Sequence, residues 1–151
     1  MSKKIIFICP YPENAAPSQR LKYEQYFEHI KAAGYSITVS PFITLAFWKI
    51  IYKKGFFVKK TFFTLSSYLK RVALLFSIRK YDVVYVHLWA TPFGPPLYEL
   101  LLRKLAKKMI YDIDDLVYLK NVKSKASSLV TYIKGRKKPI YLMKKADHVI
   151  T

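Results

Sequence analysis

Acidic residues are scarce: nine Asp and Glu stand against 27 Lys and Arg in 151 residues, a formal charge of +18. A self-contained enzyme rarely carries such an imbalance, so a polyanionic neighbour is expected. Cysteine is almost absent. Cys9 alone excludes an intramolecular disulfide and a Cys-rich zinc site, and it suits a reducing compartment. The four glycines form neither GxGxxG nor GxxxxGK, so the usual phosphate-cradling loops are missing. Long apolar runs are missing too. After Lys3 and Lys4 only Ile5 to Cys9 are apolar before Pro10, too short a run for a secretory signal. The greasiest later run, Val72 to Ile78, falls far short of the roughly 20 residues a spanning helix needs. The chain is expected to lie on a membrane at most, not to cross one.

What is present is enough for a core: 52% of the residues are apolar, and the length suits one domain. KIIFIC (4–9) reads as a buried strand closed by the loop PYPENAAP. Ser18 is a candidate N-cap for a helix in which Tyr23, Tyr26, Phe27, Ile30 and Ala33 recur at helical spacing, with Gly34 placed for a left-handed C-terminal cap. YSITVSPF (35–42) alternates as a second strand. Strand, helix and strand within about 40 residues begin a βαβ unit and a parallel sheet. The pattern returns with a strand over 81–88, a loop WATPFGPP, a helix over 97–108 and a strand MIYDIDD over 109–115. Pro95 and Pro96 stop one element and start the next. The last residues form a further strand, and the missing covering helix suggests a chain cut off rather than finished.

The charge is regional. Residues 41–80 hold nine basic residues and no acidic one, and 119–151 hold nine against Asp147 alone, whereas 81–118 hold four basic and five acidic residues. There is no internal repeat or low-complexity tract. The acidic exception, YDIDDL, puts Asp112, Asp114 and Asp115 at the C-terminal end of a strand, the edge where open α/β sheets bind ligands. Three carboxylates so close need a cation, a shared proton or good solvation. By residue pattern alone they suit an exposed strand end or helix cap, a metal-binding DxD, or a phosphatase of the haloacid dehalogenase type. For the last, the residues after Asp115 are too few to hold the later motifs of that family.

Taken together, the pieces carry a more specific likeness. The start KIIFICPYPENAAPSQRLKYEQYFEHIKAAGYSITV, then YDVVYVHLWATPFGPPLYELLLRKLAKKMIYDIDDLVYL, then KKADHVIT, resembles the N-terminal domain of GT-B glycosyltransferases of the family 4 type. The resemblance covers most of residues 1–151, with a basic aromatic insert at about 41–80. It implies an α/β, Rossmann-like parallel sheet with flanking helices, the acceptor-side half of a two-domain enzyme whose C-terminal half is absent. It further implies a retaining, metal-independent transferase that takes a nucleotide-sugar donor, held by the other half, so that no cofactor is bound by this chain and no catalytic residue is assignable in it. The positions matching cleft-lining loops are Ser18, Gln19, Arg20, His87, Asp112, Asp114 and Asp115. Relatives often carry two glycines in the first loop and a histidine near Asp114; here both are replaced. His29 and His148 read as structural, and Cys9 as a small core residue.

Residues 45–63, LAFWKIIYKKGFFVKKTFF, interleave rings with paired lysines. Trp48, Phe56 and Phe57 suit a lipid interface, and Lys53, Lys54, Lys59 and Lys60 suit anionic headgroups; the alternative is a helical pair packed on the core with a solvated basic face. Nucleic acid is not an expected partner, since no recognition motif accompanies the charge. The expected partners are an anionic membrane surface at its cytoplasmic face, a glycan or lipid-linked acceptor, and a separately encoded donor domain. The contrasting expectation is a non-catalytic half-domain that only binds a membrane or a partner.

Overall fold

A run as uniformly apolar as IIFIC, after Lys4, has no polar face to offer water, which favours a central place in a parallel sheet covered on both sides. In the computed structural model, which describes residues 2–114 and 137–151, this run lies in β1 (Lys3–Cys9), second in a five-stranded sheet. The chain continues through α1 (Pro17–Lys22), a 3₁₀ turn (Glu24–Tyr26) and α2 (Phe27–Ala32) to β2 (Tyr35–Pro41). Then come α3 (Leu45–Ile51), α4 (Phe57–Leu75), a second 3₁₀ turn (Ile78–Lys80), β3 (Val83–His87), α5 (Leu97–Leu105) and β4 (Met109–Asp112). Beyond residue 136 follow α6 (Lys137–Lys145) and β5 (His148–Ile150). The strand order is β2-β1-β3-β4-β5 and every pair is parallel. The expected α/β class and Rossmann-like sheet with flanking helices are present.

Strand alternation sorts the side chains into two layers. Ile6, Ile8, Val84, Val86, Met109 and Tyr111 form one core with Leu102 of α5 and Leu142 of α6. Phe7, Cys9 and Tyr85 face the other way, toward Tyr23 and Phe27. His87 and Asp112, register partners at the strand ends, fall on the second side by the same alternation. The elements of that side therefore decide what those two residues meet.

The helix expected from a Ser18 cap to Gly34 is instead three short pieces. Ala16 is its extended N-cap residue and Pro17 opens it, because proline's fixed φ and missing N–H suit the first turn; Ser18 lies inside the helix and caps nothing. The helix breaks at Tyr23, whose ring stacks on Phe7 at 5.0 Å while Phe27 meets the same ring edge-on at 5.0 Å. Gly34 takes the expected left-handed conformation, with φ 87°.

Residues 41–80 fold as a helical pair whose inner side packs on the domain. Thr44 caps α3 by accepting from the Phe47 N–H at 3.3 Å, and Phe42, Ile43 and Phe47 cluster with Trp48, Phe63, Tyr68 and Trp89. Arg71 of α4 reaches further in. The strand order reverses between β1 and β3, which defines the crevice where such sheets receive ligands. The Arg71 guanidinium fills it, donating to the carbonyls of Cys9 at 3.0 Å and Ala90 at 2.9 Å and to Ser40 Oγ at 2.7 Å.

Candidate functional site

The ends of β3 and β4 bring His87 and Asp112 side by side, with His87 Nδ1 2.7 Å from Asp112 Oδ2 and both side chains fully buried. α1 supplies the third member. Lys22 Nζ donates to Asp112 Oδ1 at 3.0 Å and to the Ile113 carbonyl at 3.2 Å, and lies 3.5 Å from Asp114 Oδ1. The cation required by the acidic strand end is thus Lys22. Among the described residues no group of three His, Cys, Asp or Glu side chains stands placed to hold a metal ion.

Burial pushes the Asp112 carboxyl up, but hydrogen bonds from His87 and Lys22 outweigh it and hold the group below the ordinary aspartate range. Burial lowers Lys22, and its two carboxylate partners more than restore it, so the ammonium stays charged. Asp112 is therefore ionised and faces His87 Nδ1, which turns His87 Nε2 to the other side of the ring. That nitrogen is buried and finds no partner among the described residues. The Tyr23 ring lies edge-to-face against the imidazole at 5.3 Å. His87 and Asp112 are closed off from solvent, whereas Lys22 and Asp114 are partly exposed. The accessible face of the cluster is an ammonium beside a carboxylate, able to donate to and accept from vicinal hydroxyls.

The residue after His87 is also unusual. Leu88 has φ 56°, a left-handed conformation that costs a branched residue about 1–2 kcal/mol. It is held there by its N–H to the Asp112 carbonyl at 2.9 Å and by Tyr111 Oη to its own carbonyl at 2.9 Å. Strain of this kind gathers at functional sites.

The remaining expected residues are distributed as follows. Gln19 is fully buried and braces the first loop: it accepts from Tyr11 N at 3.0 Å and donates to Tyr11 O and Glu24 Oε1, each at 3.1 Å. Glu24 also accepts from Asn14 N at 3.0 Å, so the pair sets the path of PYPENAAP. Ser18 is half-buried and Arg20 exposed, on the helix that carries Lys22. Asp115 lies outside the described residues. Cys9 is buried, its thiol pushed up to about 11 by burial above all. His29 and His148 are exposed. Sequence reasoning missed Lys22, Glu24 and Arg71. The spacing of Lys22 from a strand-end carboxylate 90 residues away carried no local signal.

In the basic aromatic segment Trp48 is half-buried against Tyr11 and Tyr52. Phe56 and Phe57 are exposed, as are Lys53, Lys54 and Lys59, while Lys60 Nζ donates to the Lys53 carbonyl at 2.6 Å. The exposed apolar surface runs further than the sequence suggests. Val58, Phe62, Leu65, Leu69, Val72 and Phe76, spaced alternately by four and three, line the outer side of α4, and each is 50–88% exposed. Among the described residues no helix is long and apolar enough to cross a membrane. No protein-family model, curated protein or solved structure matches the chain.

Proposed function

We propose that the chain is the acceptor-side domain of a nucleotide-sugar-dependent glycosyltransferase, retaining and metal-independent, acting at the cytoplasmic membrane face on a surface glycan or lipid-linked acceptor. The observation that carries this reading is the Lys22–Asp114 pair standing on the buried His87–Asp112 pair at the C-terminal edge of a parallel sheet. Ammonium and carboxylate together orient an acceptor hydroxyl, and the buried pair fixes their position. The donor nucleotide is held by a second domain. Support for that division comes from the crevice between β1 and β3, which Arg71 fills with its own side chain, and from a first loop without glycines. In a retaining transfer of this type the leaving phosphate takes the acceptor's proton, so no side chain of this domain has to act as base.

The membrane part of the reading is supported by the exposed stripe along α4 and by a stretch without any acidic residue from Glu28 to Asp82. The test is a titration of the isotope-labelled chain, followed by NMR, with short oligosaccharides and separately with UDP-glucose, UDP-N-acetylglucosamine and GDP-mannose. Oligosaccharides are expected to shift resonances at Lys22 and Asp114, and the nucleotide sugars to leave the spectrum unchanged and unhydrolysed. Donor hydrolysis or saturable donor binding by this chain would overturn the division of labour. Silence from every oligosaccharide would overturn the acceptor role.

A further inference from the structure

On the α4 side of the sheet lies a cavity of about 350 Å³. It is walled by Tyr11 after β1, Phe47 and Ile51 of α3, Tyr52, and Trp89 and Phe93 after β3. The rings brace one another: Phe42 against Trp89 at 5.6 Å, Tyr11 against Trp48 at 5.3 Å and Phe47 against Phe63 at 5.5 Å. Its polar side-chain groups are the hydroxyls of Tyr11, Tyr52 and Thr64 and the indole N–H of Trp89, too few to replace the hydration of a sugar. Its size falls within the range of small-molecule sites.

The rim says what such a chain carries. Tyr52 and Phe93, at the mouth, are themselves 74% and 56% exposed, so the apolar lining continues onto the surface. Lys53 and Lys54 follow Tyr52 directly and are exposed, and the Lys60 ammonium is bonded to the Lys53 carbonyl beside them. With no acidic residue between Glu28 and Asp82, nothing in this segment neutralises those cations. An apolar pocket whose exposed lip at Tyr52 runs directly into two exposed lysines matches an amphiphile with a negative head.

We propose that this cavity binds the hydrocarbon chain of an anionic amphiphile, an alkyl or prenyl phosphate, with its headgroup at Lys53 and Lys54. The site deepens the proposed function by giving the acceptor's lipid a place. The first strand exit connects the two regions, since Tyr11 both lines the cavity and is held by Gln19, and the Trp89 N–H bonds to the His87 carbonyl at 2.7 Å.

Trp48 and Trp89 are the only tryptophans in the chain, so intrinsic fluorescence reports on this cavity. Dodecyl phosphate, titrated below its micelle concentration, is expected to change the emission saturably at one molecule per chain. Inorganic phosphate should change nothing, and dodecanol should bind about tenfold more weakly. Thr64→Phe, which fills the space, and Phe93→Ala, at the exposed rim where folding is not at stake, should each weaken dodecyl phosphate at least fivefold. Lys53→Gln with Lys54→Gln should weaken the phosphate and leave dodecanol unchanged. No saturable change, or binding equal in wild type and both cavity variants, overturns the site; dodecanol binding as well as dodecyl phosphate overturns the anionic headgroup. Because no sugar is transferred, failure here leaves the transferase reading standing, and failure of oligosaccharide binding leaves this one.

Discussion

The Arg71 guanidinium donates to the Cys9 carbonyl at 3.0 Å although 62 residues separate them, and it is only 2% exposed. Burial lowers its affinity for the proton, but an arginine stays charged, so the cost of burial is met by hydrogen bonds to two carbonyls and the Ser40 hydroxyl. Removing it takes the donor from the buried Ala90 carbonyl and from Ser40, whereas the Cys9 carbonyl keeps the Phe42 N–H at 2.9 Å. Arg71→Leu is expected to cost about 3 kcal/mol in urea unfolding, and Arg71→Lys most of that, because a point charge cannot serve three acceptors in a fork. A lysine variant as stable as wild type would show that charge alone, not geometry, holds the crevice closed.

Arg71 also marks where the sequence stopped being legible. The apolar runs KIIFIC and YDVVYVHL, the Gly34 cap and the break at Pro95 and Pro96 are local signals, and β1, β3, α5 and the parallel class follow from them. The acidic strand end was visible as a problem in electrostatics, and His87 as a cleft-lining position implied by the resemblance; that the two are register partners was not. Lys22, Glu24 and Arg71 were not visible, since each is one basic or acidic residue among many until the fold buries it. Tyr23 shows the same limit: helical spacing placed it correctly toward the sheet, but the helix breaks at this residue, whose ring stacks on Phe7, and periodicity carries no such information.

Asp112 makes the folded state sensitive to acid. Its carboxyl lies below the ordinary aspartate value when folded, so between about pH 4 and the folded value the unfolded chain binds the extra proton. Stability contributed by Asp112 is therefore complete above about pH 5 and is lost as the pH falls through the folded value. Asp112→Asn should cost about 3 kcal/mol at pH 7, by leaving Lys22 and His87 without their shared anion, and progressively less at acid pH. Urea midpoints measured from pH 7 to pH 3 check this. A constant difference across that range would mean that the carboxylate charge is not the stabilising feature.

A second buried pair joins α5 to α6. Glu99 accepts from Thr91 Oγ1 at 2.8 Å and faces Lys138 Nζ at 3.6 Å, while Lys138 donates to the carbonyls of Thr91 at 3.0 Å and Phe93 at 2.7 Å. Burial raises the Glu99 carboxyl and lowers the Lys138 ammonium, with each partner partly offsetting the other's shift. Either Glu99→Leu or Lys138→Met alone should cost about 3–5 kcal/mol by orphaning a buried charge, whereas the double variant should cost less than either. Additive losses in such a double-mutant cycle would place the stabilisation in the Thr91 and Phe93 hydrogen bonds rather than in the ion pair.

The outer side of α4 makes the membrane reading measurable. A stripe that is half or more exposed along its length contributes nothing to the core, so Phe62→Ser, Leu65→Ser and Leu69→Ser should each leave the unfolding midpoint nearly unchanged, within about 0.5 kcal/mol. The same changes remove apolar area that would otherwise enter the headgroup region, while the basic rim supplies about 1 kcal/mol per lysine near an anionic surface. Co-sedimentation with vesicles containing phosphatidylglycerol should therefore exceed that with phosphatidylcholine alone. It should fall as salt shortens the screening length to about 8 Å at 0.15 M, and drop in the triple serine variant. Replacing Lys53, Lys54, Lys59 and Lys60 by Gln should abolish the preference for the anionic lipid but retain the apolar contribution. Equal binding to both vesicle types by the wild-type chain would remove the electrostatic half of the argument. An unaltered triple serine variant would move the contact off α4 altogether.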